Sequence, residues 1–159
     1  LGVDLKLVKA SIEVNEEQVD YAVELAETLV GDLRGKLIAV LGLAFKPGTD
    51  DVRESRAIAL VERLLRMGAR VRVHDPKAMD NARKILGNDV EYASTLESCL
   101  EDADLCILAT EWPEYKELSE EDLRRLMRSP ALLDCRRIYD PKRFRGVKFA
   151  AIGLGPISD

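Results

Sequence analysis

The sequence lacks most of what a metalloprotein, a secreted protein or a membrane protein needs. It has one histidine and three cysteines, and no two cysteines form a CxxC pair, so no structural zinc site is predicted. An odd cysteine count without a signal peptide fits a reducing compartment. No apolar run approaches the roughly 20 residues that span a bilayer. We therefore expect a cytoplasmic protein that binds no structural metal and does not enter a membrane.

An excess of positive charge is also missing. The 24 Lys and Arg residues against 29 Asp and Glu residues give a net charge of −5, which argues against a general binder of nucleic acid or of membrane surfaces. The apolar fraction of 47% and the charged fraction of 33% are typical of a globular protein. A chain of 159 residues suits one domain with its own core.

The chain begins with Leu1 instead of Met, inside a pattern of helically spaced apolar residues from Val3 to Val30. Gly31 is a suitable end for this helix. Its length is over twice that of a typical helix, and such helices often bridge two domains. We therefore expect a fragment, in which residues 1–31 end a central helix and residues 32–159 form a separate domain.

From residue 36 onwards, short apolar runs alternate with amphipathic segments. This alternation predicts parallel βαβ units with right-handed crossovers, and nearly unbroken apolar strands indicate a sheet covered on both faces. We predict an α/β fold with a Rossmann-like, doubly wound, mostly parallel sheet after a long N-terminal helix. The predicted strands are 36–43, 70–74, 90–92, 103–110, 131–134 and, as the last, 149–152, and the predicted helices are 55–67, 77–86, 96–101 and 120–128.

The turn after the first predicted strand has the position, but not the glycines, of a phosphate-binding turn. Its sequence, LGLAFKPGTDDVRES (41–55), lacks the GxGxxG of a dinucleotide fingerprint, and Gly48 is followed by Thr49 where a P-loop has lysine. It carries Lys46, Arg53 and an acidic pair at 50–51 instead. A phosphorylated ligand would therefore be held here by side chains.

Charged and aromatic residues follow several predicted strands, at the sheet edge where ligands of such folds bind. Together they suit a phosphorylated small molecule, because cations recognise phosphate and aromatic faces flank a base or sugar. Structural alternatives stay open: Lys46 and Arg53 could be loop charges paired with nearby carboxylates, and Asp75 could serve the turn before Pro76 or resemble a ribose ligand. The candidates at this edge are Phe45, Lys46, Arg53, Trp112, Tyr115, Arg136 and Arg137.

None of the three cysteines is predicted to be a nucleophile. Cys106 lies within an apolar run and is expected in the core, and Cys99 is expected on a helix face. Cys135 stands between Asp134 and Arg136, and an arginine can lower the pKa of a thiol. A catalytic thiol would also need a base such as histidine, for which no partner is evident.

The 41–55 turn strongly resembles the signature turn of the UDP-glucose/GDP-mannose dehydrogenase family. Four further motifs occur in the family's order along the chain. They are VNEEQ (14–18) in the central helix, VHDP (73–76) at the end of the second strand, TEWPEY (110–115) and DCRRI (134–138). The last of these usually reads Asp-Gly-Arg-Asn-Ile in the family. The match covers the latter part of such an enzyme, namely the end of the central helix and the C-terminal nucleotide-sugar domain.

The resemblance implies an enzyme that oxidises the 6-hydroxyl of a nucleotide sugar to a carboxylate with two NAD molecules. The implied steps are hydride transfer, capture as a thiohemiacetal, a second hydride transfer and hydrolysis. NAD would be bound mainly by an N-terminal domain that has no counterpart in this sequence. The segment that carries the family's catalytic cysteine and lysine has no counterpart here either. No catalytic residue is therefore predicted here, this chain alone is not expected to catalyse, and the full-length protein is expected to be a homodimer.

The resemblance also assigns roles to individual residues. Phe45 and Lys46 would meet the sugar and diphosphate of the substrate, and Arg136 would contact the UDP part. Arg53 would reach across an interdomain cleft to the NAD phosphates. Asn15 would belong to the helical interface beside the site. Cys135 replaces the usual glycine, and this replacement is expected to affect the backbone conformation there and so the position of Arg136.

Several functional alternatives remain at this point. The TEWPEY segment resembles UDP-glucose 6-dehydrogenases, and a GDP-mannose or UDP-N-acetylmannosamine dehydrogenase is the alternative within the family. From other classes, a non-catalytic nucleotide-binding module and an assembly domain that dimerises through the long helix are considered. The start at Leu1 argues against a free-standing module.

Overall fold

The computed structural model describes residues 6–157, and it describes side chains for residues 14–156. Its helices are α1 (Lys6–Val30), α2 (Arg56–Arg66), α3 (Met79–Leu86), α4 (Leu96–Leu100) and α5 (Glu120–Leu126), with 3₁₀-helices at Pro113–Glu117 and Pro141–Phe144. Its strands are β1 (Leu37–Leu41), β2 (Arg70–His74), β3 (Glu91–Tyr92), β4 (Leu105–Leu108), β5 (Ala131–Asp134), β6 (Lys148–Ala151) and β7 (Gly155–Ile157).

The strands form one sheet in the order β3-β2-β1-β4-β5-β6-β7. Every neighbouring pair from β3 to β6 is parallel, and β7 runs antiparallel to β6. The chain winds outwards from β1 to β3 and returns to place β4 beside β1, so right-handed crossovers put α2 and α3 on one face and α4 and α5 on the other. The predicted doubly wound α/β fold is confirmed. In folds of this kind, ligands bind beyond the carboxyl ends of the strands at the point where the strand order reverses, which is here between β1 and β4.

The core lies on both faces of the sheet. All side chains of β1, β4 and β5 are buried, as expected for strands with helices on both sides. The second half of α1 packs on α2 and on β5 to β7, where Leu25, Ala26 and Leu29 join the same core. The division into residues 1–31 and residues 32–159 stays a prediction.

The long N-terminal helix is confirmed over its described part. Of the predicted span from Val3 to Val30, residues 3–5 lie outside the described residues, and the helix ends at Val30 as predicted. Gly31 follows with a φ of 76°, and its N–H donates to the carbonyl of Glu27 at 2.7 Å. A glycine in the left-handed conformation thus closes the helix.

The prediction that 149–152 is the last strand is wrong. Strand β6 ends at Ala151, and β7 returns beside it after a tight turn in which Leu154 N–H donates to the Ala151 carbonyl at 3.0 Å. The sequence Gly153-Leu154-Gly155-Pro156 has the composition of a loop, which conceals a strand of three residues. Such a short strand exists only because the neighbouring β6 offers an open edge.

Within residues 6–157, no helix combines the length and the apolar character needed to cross a membrane.

Candidate functional site

The loop between β1 and α2, here called the β1–α2 loop, is fixed by three buried side chains. Asp75 Oδ2 accepts the backbone N–H of Leu43 at 2.7 Å and of Ala44 at 3.0 Å. Ser55 Oγ donates to the Leu43 carbonyl at 2.6 Å, and Thr110 Oγ1 donates to the Ala44 carbonyl at 2.7 Å. Side chains therefore satisfy all four polar backbone groups of these two residues, which holds the loop in one conformation.

The loop begins at a glycine that no other residue could replace without a shift. Gly42 has a φ of 91°, and a Cβ added there would lie 2.5 Å from Thr110 Cβ. The left-handed conformation and the close approach of the two chain segments both require glycine. Strand β1 consequently ends at Leu41, two residues before the predicted end.

The exposed part of the β1–α2 loop carries three of the four predicted ligand contacts. Phe45 keeps its backbone N–H bonded to the Asp51 carbonyl at 2.8 Å, while 55% of the residue is exposed. Lys46 is exposed and makes no ion pair with another described side chain. The Arg53 side chain is 87% exposed and binds Asp51 in a two-pronged contact, with distances of 3.0 Å from Nε and 2.8 Å from Nη2. The ion pair considered for Arg53 is therefore present.

A shallow cavity of about 300 Å³ lies at this part of the loop and is lined by Phe45, Asp51, Arg53 and Glu54. The Arg53 guanidinium beside Asp51 lowers the pKa of that carboxyl to about 2. Asp51 therefore stays ionised and orients the guanidinium at neutral pH. The cavity thus brings together an aromatic ring and an oriented cation, the two groups predicted for a nucleotide ligand.

Arg136 is presented by the turn after β5, which is built around the fully buried last residue of that strand, Asp134. Asp134 Oδ1 accepts the backbone N–H groups of Arg136 and Arg137, both at 2.8 Å, and Oδ2 accepts that of Tyr139 at 2.9 Å. Cys135 continues the strand ladder, with its N–H bound to the Leu108 carbonyl at 3.0 Å. Arg137, rather than Cys135, takes the left-handed conformation, with a φ of 58°. The usual glycine at position 135 is therefore not needed for this backbone.

The Arg136 side chain forms an ion pair with Glu111, and the two side chains are 38% and 31% exposed. The hydrogen bond to Glu111 raises the pKa of Arg136, and the same bond lowers the pKa of Glu111. Glu111 follows β4 and was not predicted as part of the site. The pair holds the Arg136 guanidinium in place at neutral pH.

Arg136 also lines a cleft of about 200 Å³ between α1, α2 and the carboxyl ends of β4 to β6, here called the α1–α2 cleft. Its polar lining consists of two guanidinium groups and two side-chain amides. They belong to Arg56 and Arg136, and to Asn15 and Gln18. The remaining wall includes apolar side chains of both helices. A cleft with cations, amide groups and an apolar wall suits an anionic ligand that carries a ring.

Two aromatic residues are not where the sequence placed them. Trp112 and Tyr115 were expected beside a ligand, but they are 5% and 0% exposed. Trp112 Nε1 donates to Asp75 Oδ2 at 3.0 Å, and the Tyr115 hydroxyl donates to the His74 carbonyl at 3.0 Å. The 3₁₀-helix Pro113–Glu117 turns both rings under the loops, so Phe45 is the exposed aromatic side chain near the site.

Asp75 serves the fold and is unavailable as a ribose ligand. It is 2% exposed, and its second oxygen, Oδ1, accepts the backbone N–H groups of Lys77 at 2.9 Å and Ala78 at 2.8 Å. With the contacts of Oδ2, five N–H donors surround the carboxylate. The alternative of turn chemistry is confirmed, and the signal was an aspartate directly before proline.

The cysteines are not activated. Cys106 is buried in the core as predicted, and Cys99 lies on the buried side of α4. Burial raises the pKa of Cys99 and of Cys135 to about 12, and burial also raises the pKa of Cys106 well above its ordinary value. Among the described residues, no group of three His, Cys, Asp or Glu side chains is arranged to hold a metal ion.

The predicted residues thus fall into two groups at the carboxyl edge of the sheet. Phe45 and Arg53 share the cavity of the β1–α2 loop, with Lys46 on the same loop. Arg136 and Asn15 share the α1–α2 cleft. The sequence did not reveal the two carboxylates that orient Arg136, because one is a strand-end aspartate and the other follows a different strand.

Residues 39–141 match the UDP-binding domain of the UDP-glucose/GDP-mannose dehydrogenase family. The UDP-glucose 6-dehydrogenase TuaD of Bacillus subtilis is 36% identical over 97% of this chain and 33% of that protein. The solved structure of a UDP-glucose dehydrogenase from Pyrobaculum islandicum is 41% identical with a TM-score of 0.83, over 97% of this chain and 34% of that one. The UDP-D-ManNAc dehydrogenase from Pyrococcus horikoshii is 30% identical with a TM-score of 0.80, over 96% of this chain and 34% of that one. This chain spans about a third of the length of these relatives.

Proposed function

Because the chain belongs to the UDP-glucose/GDP-mannose dehydrogenase family, we propose that it is the C-terminal nucleotide-sugar-binding domain of an NAD-dependent UDP-glucose 6-dehydrogenase. The proposed reaction of the full-length enzyme converts UDP-glucose and two NAD into UDP-glucuronate. The observation that carries the proposal is that two segments at one edge of the sheet, the β1–α2 loop and the turn after β5, are each fixed by a buried aspartate. The loop displays Phe45 and Lys46, and the turn displays Arg136 beside the α1–α2 cleft.

Each proposed contact has a chemical reason. Arg136, whose guanidinium is already oriented by Glu111, would bind the UDP part by a two-pronged contact. Lys46, which is exposed on a fixed loop, would neutralise the diphosphate as a point charge. The exposed ring of Phe45 would pack against the sugar. We assign no catalytic role to any residue of this chain.

NAD would accept the hydrides, and this sheet does not form its main site. The two glycines of the first turn, Gly42 and Gly48, do not form the GxGxxG of a dinucleotide fingerprint. The Asp75 carboxylate is surrounded by five N–H donors. Arg53 is the residue proposed to contact the NAD phosphates, and its side chain is 87% exposed. The partners proposed for this chain are therefore a nucleotide sugar, its own N-terminal NAD-binding domain and a second copy in a homodimer, in the cytoplasm.

A second candidate is the same domain of a UDP-N-acetylmannosamine dehydrogenase or a GDP-mannose dehydrogenase. It is favoured by the similarity to the UDP-D-ManNAc dehydrogenase from Pyrococcus horikoshii, with a TM-score of 0.80. Base preference separates UDP from GDP substrates, and the sugar must be tested separately.

An NMR titration of the ¹⁵N-labelled chain with UDP, UDP-glucose, UDP-N-acetylmannosamine and GDP tests the proposal. We expect UDP and UDP-glucose to shift the amide signals of Lys46 and Arg136, and GDP to leave them unchanged. Arg136→Ala should weaken UDP binding, whereas Arg145→Ala, at an exposed arginine after the 3₁₀-helix Pro141–Phe144, should not. Equal shifts with GDP would contradict the proposed base preference, and no shift with any nucleotide would overturn binding by this chain.

A further inference from the structure

We propose that Asp75 is a positioning residue, which fixes the β1–α2 loop relative to the segment that orients Arg136. Its effect on ligand affinity rests on the proposed function, whereas its effect on the two loops does not. Asp75 touches no ligand in this proposal. It acts through the backbone of the first loop and through the indole of Trp112.

The first connection runs to the residues directly before Phe45. Asp75 Oδ2 accepts the N–H groups of Leu43 and Ala44, at 2.7 and 3.0 Å. These two residues are 0% and 2% exposed, so water cannot replace the carboxylate there. A charged acceptor forms stronger hydrogen bonds than a neutral one. The direction in which the chain leaves β1 towards Phe45 and Lys46 therefore depends on this oxygen.

The second connection runs to the other half of the site. The same oxygen, Oδ2, accepts Trp112 Nε1–H at 3.0 Å. Trp112 directly follows Glu111, the carboxylate that pairs with Arg136. Trp112 is 5% exposed, and its ring cannot turn away without opening the core. One carboxylate oxygen thus joins the loop that carries Phe45 to the segment that carries Glu111.

The third connection holds the carboxylate itself. Asp75 Oδ1 accepts the N–H groups of Lys77 and Ala78, at 2.9 and 2.8 Å, so the side chain cannot rotate. All five neighbours are N–H donors. An asparagine has only one oxygen, and its NH₂ group would therefore face either the two turn donors or the three donors at the present Oδ2.

Two variants test the proposal in the chain as it is. Trp112→Phe keeps an aromatic ring in the core and removes the indole N–H that links the segment of Glu111 to Asp75, while the hydrogen bond from Thr110 Oγ1 to the Ala44 carbonyl stays. Asp75→Asn disturbs the carboxylate as a whole and is the more destabilising change. The matched controls are Tyr92→Phe, which removes the aromatic donor to the Gly87 carbonyl at 2.8 Å, and Asp104→Asn. Asp104 is also a buried acceptor of a backbone N–H, that of Leu37 at 2.9 Å, but it lies at the opposite edge of the sheet.

The ligand-free readout is NMR of the ¹⁵N-labelled chain. In Trp112→Phe and Asp75→Asn we expect the Arg136 Nε–H signal to shift and the Phe45 amide proton to exchange faster, because both depend on the relative position of the loops. In Tyr92→Phe and Asp104→Asn both observables should stay at their wild-type values. Wild-type behaviour of both observables in Trp112→Phe would overturn the proposal.

The affinity readout is the Kd for UDP, measured under conditions in which every variant is folded. We expect Asp75→Asn to weaken binding about tenfold and Trp112→Phe by a few-fold, since small misplacements of binding groups are costly. The two control variants should bind like the wild type. Asp75→Asn with a wild-type Kd, or Asp104→Asn with an equal loss, would overturn the role in positioning. If the wild-type chain does not bind UDP, the proposed function fails, and the ligand-free readout alone decides whether Asp75 joins the two loops.

Discussion

Buried carboxylates with backbone partners shape both edges of the sheet. Asp75 and Asp134 collect N–H groups at the carboxyl edge, and Asp104 does so at the amino edge. A buried carboxylate without such donors would be costly. At the residue scale, the fold therefore uses aspartates where chain segments must meet, and exposed arginines where a ligand is proposed to bind.

The only histidine of the chain gives a pH prediction. The Tyr115 hydroxyl donates to the His74 carbonyl, so His74 Nδ1 must carry the proton in its 2.9 Å contact with that hydroxyl. Burial lowers the pKa of His74 below its ordinary value of 6.5, against the opposing effect of Glu114 and Asp75. The unfolded chain therefore binds a proton first as the pH falls through 6.5, and the free energy of unfolding should decrease there.

An NMR titration of the His74 ring should show a midpoint below 6.5. Urea unfolding at about pH 7.5 and about pH 5.5 should show lower stability at the lower pH, and His74→Gln should remove part of that difference. A midpoint above the ordinary value would mean that the nearby carboxylates outweigh burial.

Arg137 predicts a stabilising substitution. It has a φ of 58°, a conformation that costs a residue with a long side chain about 1 kcal/mol and that asparagine tolerates. Arg137→Asn should raise the free energy of unfolding by up to about 1 kcal/mol, measured by urea unfolding. Arg145→Asn is the control, because Arg145 is also exposed but has a φ of −66°. A gain of the same size in the control would contradict the backbone explanation.

At the element scale, the junction between β1 and its loop is the tightest point of the site. Thr110, after β4, lies against Gly42, after β1, so a side chain at position 42 would push the two strand ends apart. Gly42→Ala should lower the free energy of unfolding by about 3 kcal/mol, because the left-handed φ and the overlap with Thr110 add up. Urea unfolding measures this change.

Gly48→Ala is the matched control on the same loop. Gly48 has a φ of 87°, but nothing lies within 4 Å of an added Cβ. Gly48→Ala should therefore lower the free energy of unfolding only by the cost of the left-handed backbone conformation, about 1 kcal/mol. Equal losses in the two variants would show that the contact with Thr110 contributes nothing.

The sequence predicts those elements whose signal is local. Strands β1, β4 and β5 are apolar runs between loops, and their prediction needed only their own residues. Strand β7 and the 3₁₀-helix Pro113–Glu117 contain proline, which normally argues against regular structure. Neighbouring elements stabilise both, and a single segment of sequence carries no record of its neighbours.

The same distinction applies to the candidate site. Lys46, Arg53 and Arg136 could be placed at strand ends because their positions along the chain are local facts. The pairing of Arg136 with Glu111 joins residues 25 positions apart, and the burial of Trp112 depends on Asp75, 37 positions away. Such partners are set by the packing of several elements, so the sequence predicted the charges but not what orients them.

At the scale of the whole molecule, the three thiols differ in how accessible they are to a reagent in the folded protein. Cys99 and Cys106 are 0% exposed, so a thiol reagent should reach them only after global unfolding. Cys135 is half-buried beside the α1–α2 cleft, and its pKa of about 12 should make it react slowly in the native state. Labelling with mass spectrometry should find one slow native site, absent in Cys135→Ser. Rapid native labelling of Cys99 or Cys106 would contradict the packing described.

The two outer strands of the sheet bear on how the molecule behaves at high concentration. On one side, β3 has only two residues, and Glu91 is bound by Arg70 at 2.7 Å and by Arg72 at 2.8 Å. On the other side, β7 carries Pro156, which has no N–H to offer a further strand. Edge strands that are short, charged or contain proline disfavour the pairing of strands from different molecules. The domain can thus be crowded together, in a cell or in an NMR tube, with little tendency to seed fibres.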